Sequence, residues 1–524
     1  TLKKTLTILD SKKDLSTQDK DILLWSDNYQ KQNDKIYSIL QILEKNVKKS
    51  KNKYISLISD LGNTIIKNDD EKKRVIDYLK IDKNFSFWWT TLIAEKSNII
   101  KSPDINKSIK IIAFKIWFKT KNYKKIILQS RDSKLIKSIK LFAIEENIKF
   151  EIKDKNLVNK IIDSIVEIYE HFPKIIPSLI WLMWELKYMW PLKAVGIKKW
   201  KYSRSRITFL SSLVNLDQSS MEKGEFKSNY WPILPKLLKN NKTGSNWIHM
   251  HNRAGGLLSA SNVKHLINKF NKSNNGVETH ISIYSFINLF IVCKVIFNLI
   301  RLLYVKIKIH KAVRKKSGAI WPYIAPDFNE SLTGITATRN LLFLYLFKNA
   351  FSNLSKQEKG FYLQENQGWE CCFINAWKLS GHNDFLLATQ HVPIQFWDLR
   401  KIIDKKIYLD PVKSNLPIPD YIGAISKFSK NFYIKSGIPK NKIIEVEALR
   451  YLHLNYSTKC TLRNLNKQKN KVLLLGDTIK TNTLEQIKFL NDSLRYIKKP
   501  IQYLLKPHPA TSISARECPD IDLI

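Results

Sequence analysis

The sequence predicts an α/β fold of parallel-sheet domains, and three observations carry that prediction. Short runs of β-branched and apolar residues alternate with longer amphipathic stretches along most of the chain, as strands joined by crossover helices do. One stretch, Phe361 to His391, reads as a strand–helix–strand unit with a polar turn after each strand. After a polar, basic interval at Asn455 to Asn470, which reads as a linker, the alternation begins afresh at Lys471. The boundaries that follow are an N-terminal α/β domain over residues 1–200, a second α/β segment over 201–455, and the beginning of a further domain over 471–524.

In the first domain, Thr5 to Leu9, Tyr54 to Ser59, Lys125 to Gln129 and Lys149 to Ile152 read as strands. Asp34 to Val47, Asn106 to Phe118 and Asp132 to Glu146 read as amphipathic helices. Phe85, Phe87, Trp88 and Trp89 form an aromatic knot ahead of Glu95, best explained as a packed corner of the core. A long helical stretch, Leu157 to Trp190, ends at Pro191, and Lys198 to Arg206 is a basic linker.

The second segment opens with strands at Ile207 to Leu213 and Asn246 to Met250 and helices at Trp231 to Leu238 and Ala260 to Phe270. His249 and His251 would share one face of their strand, yet no third ligand stands nearby in sequence, so no metal site is expected. Ile281 to Val305 is the most apolar part of the chain. Its uncharged run, Ile281 to Cys293, is shorter than the roughly 20 residues that cross a bilayer. It reads as a core helix with a basic exit through Lys306, Lys308, Lys311, Arg314, Lys315 and Lys316, the alternative being a helix on a membrane surface. Ser317 to Thr336 reads as a loop, Ala337 to Phe351 as a helix, Tyr421 to Ser436 as a helix, and Ile443 to Val446 as a strand. Beyond Lys471, Val472 to Leu475 and Ile501 to Leu505 read as strands around a helix at Leu484 to Tyr496.

The 524 residues carry a net charge of +42, which raises nucleic acid as a partner. The lysines are scattered through every segment and accompany an excess of Asn and Ile, so compositional bias explains the charge better and no nucleic-acid partner is expected. Attraction to an anionic membrane surface or to sugar phosphates is a by-product of that charge. Five cysteines without metal or framework spacing (Cys293, Cys371, Cys372, Cys460, Cys518) favour a reducing cytoplasm. Thr1 to Asp10 is not a signal peptide. The chain begins without Met and stops soon after a loop motif, which reads as a piece of a longer protein. It holds no Walker A sequence, no Gly-x-Gly-x-x-Gly and no Gly-x-Ser-x-Gly.

The chemistry is expected in the 361–391 unit. Its two polar turns belong at the carboxyl edge of a parallel sheet, where α/β proteins bind ligands. Glu365, Glu370 and His391 would converge there as candidates for general acid/base work. The plainer readings are that Glu370 caps the helix and His391 is hydrogen-bonded scaffolding.

The pattern Tyr362-Leu-x-Glu-Asn-x-x-Trp-Glu370, with Ala376, Gly381 and the later Gln390-His391, resembles the bacterial surface-carbohydrate biosynthesis proteins. Further matches are Val446 to Tyr451, Val472 to Asp477 and Leu505 to Pro509, with weaker ones at Phe87 to Trp89, Ala94 to Ser97 and Tyr230 to Leu234. The resemblance implies a GT-B-like glycosyltransferase of Rossmann-type parallel-sheet domains, serving O-antigen or capsule synthesis, with its C-terminal donor domain truncated. It implies transfer of a sugar from a nucleotide-sugar to a glycan or lipid-linked acceptor, inverting and metal-independent. No cofactor is expected beyond the donor substrate. Carried over, His508 contacts the donor's phosphate or ribose, with Lys506 as a supporting charge. Glu365 or Glu370 is the expected base, with His391 the second choice.

Residues 471–524 are about half of an ordinary domain of ~100–150 residues, so this piece is expected not to be a competent enzyme by itself. Asp520-Ile521-Asp522 matches the Asp-x-Asp of metal-dependent single-domain transferases but stands at the terminus, where chance explains it. The expected location is the cytoplasm, at the inner face of the membrane if the basic helix touches it. Two rivals stay open: a non-catalytic scaffold or binding subunit of a polysaccharide assembly system, and a basic nucleic-acid-binding protein.

Overall fold

The structure is a computed structural model that describes residues 4–10, 21–25, 35–68, 71–153, 174–251, 258–274, 276–383, 385–452, 470–497, 501–509, 511–519 and 521–523. They divide into two compact units, Thr1–Arg450 and Tyr451–Ile524. The fold is mixed α/β with parallel Rossmann-like sheets.

The first sheet comprises β1 (Thr5–Leu9), β2 (Asp21–Leu24), β3 (Ile36–Ser38), β4 (Lys125–Gln129) and β5 (Lys149–Lys153), all parallel in the order β3-β2-β1-β4-β5. Leu6, Ile8, Ile126 and Leu128 are fully buried in it. Helices α1 (Val47–Gly62), α2 (Asp104–Phe118) and α3 (Ser133–Glu145) accompany it. Phe114 of α2 meets Trp25, Trp117, Phe118 and Phe142 at ring-centroid distances between 5.0 and 6.3 Å.

After α4 (Ile175–Met189) comes a seven-stranded parallel sheet. Its strands are β6 (Ile207–Ser212), β7 (Ser245–Met250), β8 (Glu278–Ser282), β9 (Lys359–Leu363), β10 (Leu386–Thr389), β11 (Tyr421–Ala424) and β12 (Ile443–Glu445). They run in the order β8-β7-β6-β9-β10-β11-β12. Strand order therefore reverses between β6 and β9, which are hydrogen-bonded neighbours. At such a switch point the loops leaving the two strands diverge and open a crevice. Helices α5 (Ala260–Ser273), α6 (Leu289–Ser317), α7 (Trp321–Thr333), α8 (Ile335–Ser352) and α9 (Gly368–Leu379) belong to this half. One continuous core, from Leu6 through Trp88, Phe328 and Leu344 to Ile443, runs under both sheets. The two α/β regions expected within residues 1–455 thus form a single unit.

In the second unit, β13 (Asn470–Leu475), β14 (Ile501–Lys506) and β15 (Asp522–Leu523) form a parallel sheet in that order, with α10 (Lys480–Leu494) after β13. The third strand was not foreseen: Asp522, set aside as part of a chance motif, lies in it and accepts from Gln502 at 2.9 Å.

Four other expectations need correction. Tyr54 to Ser59 is the middle of α1, because Tyr54, Ile55, Ile58 and Leu61 are buried at helical spacing that their β-branched composition disguised. Of the helix expected over Asp34 to Val47, the described residues form β3 from Ile36 before turning helical at Ile39. Ser317 to Thr336 is mostly α7: Pro322 sits in the first turn, where no N–H is needed, and burial of Ile324, Phe328 and Leu332 offsets Pro326 further in. Tyr421 to Ser436 starts with β11, and Ser426 then caps the helix Lys427–Lys435. The aromatic knot Phe85 to Trp89 is buried as expected. The earlier part of the Leu157 to Trp190 helix and the linker at Asn455 to Asn470 fall almost wholly outside the described residues.

Phe114 is fully buried among four aromatic rings. Phe114→Ala should destabilise the first unit by about 3–5 kcal/mol, seen as a lower midpoint in denaturant titration; a change below about 1 kcal/mol would mean the ring is not packed as described.

Candidate functional site

Strand β9 ends at Leu363, and the ladder continues one residue further as Gln364 N donates to Thr389 O at 2.9 Å. Gln364 is fixed on both sides: Lys401 Nζ donates to its carbonyl at 2.6 Å and Tyr433 Oη to its side-chain oxygen at 2.9 Å. The chain then turns through Asn366, whose φ of 58° suits an Asn, and enters α9 at Gly368.

Two buried carboxylates hold this turn. Glu370 Oε1 accepts from the backbone N–H groups of Glu365 at 2.9 Å and Gln367 at 3.0 Å, closing a capping box with Gln367. Glu95, from the first α/β region, accepts from Gly368 N at 3.0 Å through one oxygen. Its other oxygen stands 2.7 Å from Lys101 Nζ. Gly368 is required here: a Cβ would come within 2.6 Å of the Thr90 carbonyl oxygen, which is backbone and cannot swing away. Helix α9 therefore has protein carboxylates, Glu95 and Glu370, where an open helix N-terminus would attract a ligand anion.

The side chain of Glu365 faces the other way. Its Oε1 lies 3.5 Å from Nε2 of His391, the residue two positions after β10, and Gln367 Nε2 also donates to it. His391 holds the Glu365 carboxyl down to about 2, with Arg400 helping and burial opposing. Arg400 is itself oriented by a two-point pair with Asp398 at 2.9 and 3.0 Å. The His391 ring is buried, and its Nδ1 has no hydrogen-bond partner among the described residues. Tyr230, from the loop after β6, meets that ring edge-on at 5.6 Å, and the Arg450 guanidinium lies 5.3 Å over Tyr230. Loops from β6, β9 and β10 thus meet at the switch point.

Glu370 is 2% exposed, and burial pushes its carboxyl up to about 7. It lines a cavity of about 60 Å³ with Glu95, Lys96, Gln364 and Arg400, which is small beside the ~300–1,000 Å³ of ligand pockets. The buried Lys96 ammonium is pushed down to about 8, and its Nζ donates to Ala94 O at 2.6 Å. Glu365 and His391 do not line this cavity. The three sequence-predicted residues are thus neighbours in space but divide into a pair, Glu365 with His391, and a capping residue, Glu370.

Sequence reasoning missed Glu95, Lys101, Gln367, Arg400 and Tyr230 as members of the site. The signal for Glu95 and Tyr230 was present, since each stands in one of the weaker upstream motifs, but without the fold nothing joined those motifs to β9. His249, weighed for a metal, instead donates to or accepts from His280 at 3.0 Å, and His280 is backed by Glu278 at 3.2 Å. His251 stacks on Tyr188 at 6.3 Å. No group of three or more His, Cys, Asp or Glu suited to a metal occurs among the described residues.

In the second unit, Lys506 ends β14 and His508 follows it at the carboxyl edge, beside the Gly476-Asp477 turn that follows β13. Gly476 N donates to Lys506 O at 2.9 Å, and a Cβ on Gly476 would meet His508 N at 3.0 Å, so the two loops pack backbone to backbone. Asp477 accepts from Ile479 N at 2.9 Å and Asn482 Nδ2 at 3.1 Å at the start of α10.

No protein-family model matches the chain, and no curated protein matches it significantly.

The raised Glu370 value sets a pH dependence. An unfolded Glu titrates near 4.3, so between about 4.3 and 7 the folded protein binds the extra proton. The stability Glu370 contributes is therefore present at the acid end and lost as pH rises towards and through 7, by at most about 1.4 kcal/mol per pH unit. Glu370→Gln, which can still accept the two N–H bonds, should flatten the melting temperature between pH 5 and 7.5. An unchanged slope would show that Glu370 is charged throughout.

Proposed function

We propose that the protein is a glycosyltransferase of bacterial surface-polysaccharide synthesis, moving a sugar from a nucleotide-sugar to a glycan or lipid-linked acceptor with inversion. The reading rests on the resemblance of the 361–391 motifs. The observation that supports it best is the Glu365–His391 pair at the switch point of the seven-stranded sheet. In this reading the Glu365 carboxylate, 3.5 Å from Nε2 of His391, keeps the ring proton on that nitrogen and leaves Nδ1 as the lone pair. An acceptor hydroxyl placed there gives its proton to Nδ1 as its oxygen attacks the anomeric carbon. The bond from that carbon to the nucleotide phosphate oxygen breaks, and the phosphate leaves with the electron pair. Glu365 remains charged and stabilises the imidazolium.

His391 is thus the base in this proposal, Glu365 its positioning residue, and Glu370 the cap that holds their loop. The resemblance assigns Lys506 and His508 to the donor phosphates, where they supply a positive charge and a hydrogen-bond donor. The side chains do the acid–base work, so the scheme uses no metal or cofactor.

The small size of the cavity beside Glu370 favours a second reading, a non-catalytic binding subunit in a polysaccharide assembly system. The full-length protein with a panel of CMP-, UDP- and GDP-sugars separates the two. At least one donor should raise its melting temperature and be turned over. His391→Asn and Glu365→Gln should each lower transfer by about 100-fold or more, while Glu370→Gln keeps most of it at neutral pH. His508→Ala should weaken donor binding. Donor binding without turnover would establish the subunit reading, and full activity in both His391→Asn and Glu365→Gln would remove the dyad.

A further inference from the structure

Helix α6 is apolar on two opposite faces. One face is spent on the fold: Val295, Leu299, Leu302, Val305, Ile309 and Val313 are buried against the body of the unit. On the other, Phe290 and, two turns on, Phe297, Ile300, Tyr304 and Ile307 at spacings of three or four are 56–70% exposed. Leu289 beside them is 78% exposed. A solvent-facing helix ordinarily places polar residues there, and exposed contiguous apolar patches mark interaction sites.

The charge on this helix has one sign. Residues 289–317 contain no Asp or Glu, and the last three turns carry Lys308, Lys311, Arg314, Lys315 and Lys316. Lys294 Nζ lies 4.1 Å over the Phe290 ring and Lys308 Nζ 4.5 Å over Tyr304. The cations therefore lie along the exposed aromatic rings with their stems on the apolar stripe.

Helix α4 repeats the arrangement. Ile176, Ile180, Met183, Trp184 and, just past its end, Trp190 are more than half exposed. Lys187 and Lys193 lie over Trp184 and Trp190 at 5.4 and 4.3 Å. Both helices pack against α8.

From this we infer that the outer faces of α6 and α4 form a docking surface for an anionic lipid bilayer, the apolar stripe entering the headgroup region and the basic turns meeting lipid phosphates. Three features select that occupant. Trp and Tyr beside Lys are the residues of a membrane–water boundary. Among the described residues, no helix is long and apolar enough to cross a membrane, so the contact is along the surface. A second copy of the same face is disfavoured, because it would bring the cations of one α6 against those of another with no carboxylate on either helix to answer them. The inference is independent of the reaction proposed above.

Sedimentation with vesicles tests it. The protein should bind vesicles of phosphatidylcholine with roughly 30% phosphatidylglycerol and bind pure phosphatidylcholine at least about tenfold more weakly. Phe297→Asp with Ile300→Asp should cut binding to the anionic vesicles by about tenfold or more without lowering the melting temperature, since both side chains are exposed. Lys311→Glu with Lys315→Glu and Lys316→Glu should do the same. Failure of the unaltered protein to bind anionic vesicles would overturn the inference, as would undiminished binding by the Phe297/Ile300 variant. A concentration-dependent dimer that this variant abolishes, with no vesicle binding, would reassign the face to self-association.

Discussion

Two buried carboxylates in one turn fix the geometry on which the site depends. Glu370 and Glu95 take the backbone N–H groups of Glu365, Gln367 and Gly368, so the start of α9 is saturated from within the protein. In many α/β folds that position is left open for a ligand phosphate. Here the dipole is spent on holding a loop, and the loop in turn holds the Glu365 side chain against His391. Because Glu95 comes from the first α/β region and Gly368 from the second, the same contact ties the two halves of the unit together. The close seat of Gly368 on Thr90 leaves that contact little freedom.

A saturated turn also separates two roles that a pair of neighbouring glutamates could otherwise share. Glu370 is enclosed and biased towards its neutral form by burial. Glu365, five residues earlier, is held as an anion by His391 and Arg400. A group held that strongly charged is a weak base but a good partner for an imidazole, since it fixes which ring nitrogen carries the proton. In the proposed reaction the base is therefore not the carboxylate but His391, where loops from three strands meet.

Much of this was legible in the sequence because hydrophobic period is a local property. The strands at Thr5, Lys125, Ile207, Asn246 and Phe361 and the helices at Asn106, Ala260 and Ala337 follow from alternation or amphipathic spacing alone. The nearness of Glu365 to His391 followed from one βαβ unit, but the expected single crevice did not, since Glu370 lines a cavity that those two do not. The failures share a cause: composition was read where context decided. Tyr54 to Ser59 looked like a strand because Ile is β-branched, although burial at helical spacing made it part of α1. Proline made Ser317 to Thr336 look like a loop, although first-turn placement and burial permit a helix. Tyr230 lies far from β9 in sequence, and only the strand order β8-β7-β6-β9 shows why its loop reaches the site, while Glu95 comes from outside that sheet altogether. The membrane-surface alternative for Ile281 to Lys316 was legible from its basic exit, whereas the exposed apolar side of α6 needed the structure.

The central claim is that Glu365 sets the tautomer of His391 and leaves Nδ1 as the acceptor. ¹⁵N NMR of histidine-labelled protein at neutral pH measures this directly, with His391→Asn identifying the signal. The account predicts that Nε2 carries the ring proton while Nδ1 does not, and that this preference is lost in Glu365→Gln. A His391 ring carrying its proton on Nδ1, or one indifferent to Glu365→Gln, would contradict it.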